Sequence, residues 1–118
     1  MEVDGQKYKF TRCNLMFGFL KQLFGPEADF QDLIQNKKAH IVDVRSPGEF
    51  ASGHIKGSVN IPLQSITGKA SALAKKQPVI VCCASGMRSG QAKRILKSQG
   101  IEEVYNAGSW SSLKNHTK

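Results

Sequence analysis

Two runs are apolar at nearly every position: His40-Ile41-Val42-Asp43-Val44 and Pro78-Val79-Ile80-Val81-Cys82. Such runs suit strands buried on both faces of a parallel sheet, whereas a half-exposed strand would alternate. Around them the spacing changes to that of helices. Asp29 precedes Phe30, Leu33 and Ile34, which share one helical face, and Asp29 is a suitable N-cap. Ser46-Pro47-Gly48-Glu49-Phe50 predicts a second short helix, since proline is tolerated in a first turn. Ser58 to Pro62 predicts a short strand ended by the proline. Leu63 to Lys76 turns helical around Ala70, Leu73 and Ala74. Ser89 to Gln99 predicts a longer helix with Ala92, Ile95 and Leu96 facing inward and Gly100 as its stop. Glu103-Val104-Tyr105 predicts a last strand, and Gly108-Ser109-Trp110 leads into a terminal helix. Strands and helices thus alternate. That order predicts an α/β fold of three layers (α/β/α), with a mostly parallel sheet covered on both faces.

Ahead of this pattern, residues 1–27 form an N-terminal extension, and Gly25-Pro26 marks its boundary with a domain over 28–118. Phe17, Leu20, Leu23 and Phe24 fall at helical spacing, which predicts a short amphipathic helix. Its apolar run is too short to span a bilayer, and Lys21 interrupts it, so no transmembrane segment is expected.

Composition changes this picture little. The chain has 118 residues, 40% of them apolar and 22% charged, which suits one ordinary globular domain. The net charge of +8 raises the question of nucleic acid. The basic residues are scattered, however, and no aromatic residues interleave with them as a stacking platform, so a solvated basic surface is expected. That surface also attracts small anions. The three cysteines are Cys13, Cys82 and Cys83. An odd number, two of them adjacent, makes neither a disulfide framework nor a metal site, and no cofactor is implied. A reducing, cytoplasmic setting is the expectation.

The candidate chemistry lies where the second apolar run ends. Cys83-Ala84-Ser85-Gly86-Met87-Arg88 is a short turn between a strand and a helix, followed by Ser89. A thiol at a strand end, wrapped by backbone N–H groups and a helix start, is placed to ionise. Arg88 offers a fork suited to an oxyanion. Alternation along a strand sends Cys82 to the face opposite Cys83, so Cys82 is expected to be a buried strand residue. Arg45 either lines the pocket or pairs with Glu49. Asp43 is expected to accept hydrogen bonds from neighbouring loops. His54 is expected to be packed and not to act as a base.

Taken in order, Asp43-Val44-Arg45, Glu49-Phe50, Gly53-His54-Ile55, Gly57-Ser58, Asn60-Ile61-Pro62, the 83–89 loop and Gly108-x-Trp110 resemble a single-domain rhodanese, a thiosulfate sulfurtransferase. The resemblance covers about residues 28 to 113. It implies the rhodanese fold and a persulfide carried on Cys83. It further implies that residues 83–88 form the active-site loop, closed by Arg88, while Asp43, Arg45, Glu49 and His54 hold mainly architectural positions; the donor site expected from the residues themselves is Ala84, Ser85, Gly86, Met87, Arg88 and Ser89, with Arg45. The partners implied are a small anionic donor such as thiosulfate and a thiol or cyanide acceptor, including an acceptor protein. Two departures from the pattern are Cys82 and the single glycine in Ala107-Gly108-Ser109-Trp110. Two other readings remain open. Counted from Cys82, the loop reads Cys-x5-Arg88, which suits a phosphatase or arsenate reductase on the same fold. A non-enzymatic sulfur-carrier or partner-binding module is the third.

Overall fold

The computed structural model describes residues 28–117; the expected N-terminal amphipathic helix and Cys13 lie outside the described residues. Helix α1 (Phe30–Gln35) starts where Asp29 accepts a hydrogen bond from the Asp32 N–H. Strand β1 (His40–Asp43) follows. Helix α2 (Pro47–Ala51) opens on a reciprocal cap: the Ser46 hydroxyl accepts from the Glu49 N–H, and the Glu49 carboxylate accepts from the Ser46 N–H. Strand β2 (Val59–Asn60) leads through two 3-10 turns to α3 (Ala70–Ala74). Then come β3 (Val79–Cys83), α4 (Met87–Ser98), β4 (Val104–Ser109) and α5 (Trp110–Lys114). No helix among the described residues is long and apolar enough to cross a membrane.

Among the described residues, four strands form one sheet in the order β2-β1-β3-β4, and every pairing is parallel. Strand β3 is central and buried at all of its positions, as its unbroken apolar run requires. Its side chains alternate between two cores. Val79, Val81 and Cys83 join Val42, Val44, Ala70, Leu73, Ala92 and Leu96 on the α3/α4 face. Ile80 and Cys82 join Phe30, Leu33, Ile41 and Leu113 on the α1/α5 face. The fold is therefore the expected three-layer α/β/α arrangement. Burying a side chain of the size of Leu96 contributes about 1.5–3 kcal/mol, so each face holds its helices by a handful of such contacts.

Three boundaries differ from expectation, and all three lie near the cysteine loop. Strand β3 runs one residue further, to Cys83, which pairs with Ser109. Helix α4 begins at Met87 and not at Ser89, because Gly86 at φ +105° turns the chain straight into it without a side-chain cap. Strand β4 reaches Ser109, well past Tyr105. Its outer half is polar and carries no apolar signal, and its pairing shifts register: Val81 faces Asn106, whereas Cys82 faces Gly108.

Candidate active site

Cys83 ends the central strand, and the chain then turns within Ala84, Ser85 and Gly86 before α4 begins. The turn curls back on the sulfur. The Gly86 N–H donates to Cys83 Sγ at 2.9 Å, and the Ser89 hydroxyl lies 3.4 Å from the same atom. Burial pushes the thiol's pKa up. The hydroxyl of Ser89 and the N–H groups of Ser89, Gly86 and Ser85 act against it, and the net direction is downward. The thiol itself is buried, while Ala84, Ser85 and Met87 around it are exposed. Cys82 receives none of this help. Burial first, then the nearby Asp43 carboxylate, pushes its thiol up to about 12. Hence two adjacent cysteines have opposite acidities.

The loop can close this tightly because a glycine meets a glycine. A Cβ on Gly86 would sit 3.2 Å from Gly108 Cα, and both residues have positive φ. The register shift in β4 is what brings Gly108 under the loop.

The charged residues pair differently from expectation. Arg45 does not pair with Glu49. It is buried and bound to Asp43, with Nη2 2.7 Å from Asp43 Oδ2 and Nε 2.9 Å from Oδ1, and Nη2 also donates to the Gly53 carbonyl. Two positions apart on extended chain, Asp43 and Arg45 point the same way, which makes this the shorter reach. The Arg45 guanidinium also lies 4.7 Å over the Trp110 ring. Asp43 also accepts the backbone N–H of Arg45 from the loop after β1, as expected, and the guanidinium of the same residue adds to it. Losing either member would strand a buried charge, at a cost of about 3–5 kcal/mol.

Glu49 pairs instead with Arg88, across 39 positions of sequence: Nη1 donates to Oε1 at 2.7 Å and Nη2 to Oε2 at 3.1 Å. Arg88 was expected to present its fork to an anion; the fork is occupied by Glu49. His54 stacks on Phe50 with ring centres 3.7 Å apart, and its Nδ1 lies 2.7 Å from the Phe50 carbonyl.

Sequence reasoning missed Asn106. Its Oδ1 accepts from the Ser89 hydroxyl at 2.7 Å and from the Gly108 N–H at 2.8 Å. One side chain thereby ties together the helix start, the β4 register shift and the hydroxyl beside the thiol. The available signal was an asparagine next to a strand pattern that disfavours it. Outside the loop, a cavity of about 520 Å³ has Ser85, Gly86 and Met87 on one wall and Phe30, Ala107 and Leu113 among its other lining residues.

Comparisons with known proteins bear on the fold that carries this loop. A family model described as a rhodanese-like domain matches residues 27–116. The Bacillus subtilis (strain 168) protein YqhL is 40% identical over 70 residues, 59% of this chain and 56% of YqhL, so the match spans little more than half of that relative. Thiosulfate sulfurtransferase PspE of Escherichia coli (strain K12) is 41% identical over 71 residues, covering 58% of this chain and 68% of PspE. Among solved structures, a rhodanese with anions from E. coli superimposes with a TM-score of 0.58 at 36% identity, covering 62% of this chain and 88% of that one.

Proposed function

The chain belongs to the rhodanese-like domain family, and on that premise we propose that it is a sulfurtransferase that carries sulfane sulfur on Cys83. The observation that carries this reading is the cradle around Cys83 Sγ, with the Gly86 N–H at 2.9 Å and Ser89 Oγ at 3.4 Å. Donors aimed at one buried sulfur favour its anion, and they suit a persulfide anion equally.

The reaction is a two-step exchange. The Cys83 thiolate attacks the outer sulfur of thiosulfate; the donor's S–S bond breaks, and sulfite leaves with the bonding pair. In the second step the persulfide anion takes a proton from water, and an acceptor thiolate attacks its outer sulfur. That S–S bond breaks in turn, the acceptor leaves as a persulfide, and Cys83 returns as the thiolate. Cyanide as acceptor would leave as thiocyanate. No cofactor enters either step. The sulfurtransferase names of relatives such as PspE support the reaction class. The phosphatase or arsenate reductase reading needs Cys82 as the nucleophile, and a thiol pushed up to about 12 is poorly suited to that task.

Intact mass measured after treatment with a sulfane donor tests the proposal. One added sulfur atom that maps to Cys83 and is lost on adding a thiol is the expected result. Sulfur on Cys82, or none on either residue with any donor, would overturn it.

A further inference from the structure

Both arginines that the sequence offered for the site are engaged by carboxylates, and Arg45 sits with Asp43 and Trp110 rather than with Cys83. Arg45 is held by Asp43, and Arg88 is held through two parallel bonds by Glu49. Cys83 and Asp43, both of them acidic, also act on Arg88. A thiosulfate dianion approaching the Cys83 thiolate would bring three negative charges together near an Arg88 that Glu49 already neutralises. The chain's net charge of +8 attracts any anion at long range, but it does not replace a contact cation at the sulfur. The cavity beside the loop points the same way. It is flanked by Ser85, Gly86 and Met87, and its far side mixes apolar Phe30, Ala107 and Leu113 with polar Asn106, Ser112 and His116; Met87 is 75% exposed. The apolar part of that wall does nothing for a small inorganic dianion. It does offer burial to a donor with a carbon body.

We propose that Glu49 determines donor specificity: by holding Arg88 it biases the Cys83 site against dianionic donors and towards organic persulfides of low charge, whose carbon body packs in the cavity beside the loop. This rests on the sulfurtransferase reading above. The loading step is balanced. The Cys83 thiolate attacks the outer sulfur of a hydropersulfide R–S–SH, the S–S bond breaks, R–S⁻ leaves with the bonding pair, and the proton stays on the new Cys83 persulfide.

Glu49→Gln is the informative change, because glutamine can keep the cap on the Ser46 N–H while removing the charge that holds Arg88. Thiosulfate binding is measured by calorimetry in a Cys83→Ser background, where no turnover occurs. Releasing one charge-assisted contact should tighten that binding about tenfold, and the gain should vanish when Arg88→Leu is added. Glu49→Ala, which also frees Arg88 but sacrifices the cap, should shift binding in the same direction. With Cys83 present, the ratio of kcat/KM for thiosulfate to that for cysteine persulfide should rise about tenfold in Glu49→Gln, through the thiosulfate KM. Wild-type protein should load sulfur faster from cysteine persulfide than from thiosulfate at equal concentration. Unchanged or weaker thiosulfate binding in both Glu49 variants, or a gain that survives Arg88→Leu, would overturn the role of Glu49. The binding measurement stands even if Cys83 never acquires sulfur, a result that would remove the sulfurtransferase reading instead.

Discussion

Cys82 and Cys83 are neighbours in the chain with opposite surroundings: one thiol is packed among Phe30, Leu33 and Ile80 on the α1/α5 face, the other lies on the α3/α4 face with the Gly86 N–H aimed at it. The pleat of β3 separates them, since successive side chains point to opposite sides of a sheet. The two faces therefore assign different work to two residues of the same type.

Single replacements should separate those roles. Cys83→Ser is expected to abolish sulfur uptake with the fold retained, because an alcohol forms no persulfide. Cys82→Ala is expected to retain uptake and to lose stability, by roughly 1–2 kcal/mol for the small cavity left in the core. Intact mass and a urea titration read the two effects. Loss of uptake in Cys82→Ala alone would transfer the chemistry to the other thiol.

Thiolate formation should depend on Ser89. Its hydroxyl has one proton and two acceptors in reach, Asn106 Oδ1 at 2.7 Å and Cys83 Sγ at 3.4 Å. When Cys83 ionises, the sulfur becomes the stronger acceptor and the hydroxyl turns towards it. Cys83 has its pKa lowered in the fold, so alkylation should reach half-maximal rate at a pH below that of a free thiol. Ser89→Ala should move that midpoint up, since burial then meets fewer hydrogen bonds. Rate against pH in Cys82→Ala/Cys13→Ala protein isolates the signal. A midpoint that Ser89→Ala leaves in place would remove the hydroxyl from the mechanism.

The Glu49–Arg88 pair should show in the acid stability of the protein. The Arg88 guanidinium, followed by the Ser46 N–H and hydroxyl, holds the Glu49 carboxyl at about 2. In the unfolded chain it titrates near the ordinary value of about 4.3. A carboxylate depressed in the fold contributes stability that is fully present above the unfolded value and is lost as pH falls through the folded one. The Tm of wild type should exceed that of Glu49→Gln above about pH 5 and converge with it towards pH 2. A gap independent of pH would mean that the carboxylate charge is not what Glu49 contributes.

The parts of this site that were legible in the sequence are those built from neighbours in the chain. Asp29 caps the helix that follows it, Pro47 opens the next one, and the Val79–Val81 run marks the buried central strand because both faces of a parallel sheet are covered. The same run puts the thiol next to a strand end expected one residue short of where β3 stops. What stayed hidden depends on chain segments brought together by folding. Glu49 and Arg88 are 39 positions apart, and a local reading offers Arg45 only the pocket or Glu49, whereas Asp43 holds it at a separation of two. The outer half of β4 is Asn106-Ala107-Gly108-Ser109, which has neither period nor bulk. It is a strand only because β3 supplies its hydrogen-bonding partner. Asn106 could be recognised as a positioning residue only once Ser89 and Gly108 had been placed beside it.

Gly86 is where backbone conformation and chemistry depend on each other most directly. At φ +105° it occupies a region that side chains rarely adopt, and a Cβ there would lie 3.2 Å from Gly108 Cα. Gly86→Ala should therefore cost about 1–3 kcal/mol from backbone strain. Relief of that strain would rotate the 86 N–H away from Cys83 Sγ, so the alkylation midpoint should rise together with the loss of Tm. Gly108→Ala has positive φ but no atom within 4 Å of its Cβ. It should lose stability through strain alone, and its thiol acidity should change less. Thermal melts and alkylation profiles of the two variants side by side make the comparison. If Gly108→Ala shifts the thiol as much as Gly86→Ala does, the Gly86 N–H is not the contact that sets the acidity of Cys83.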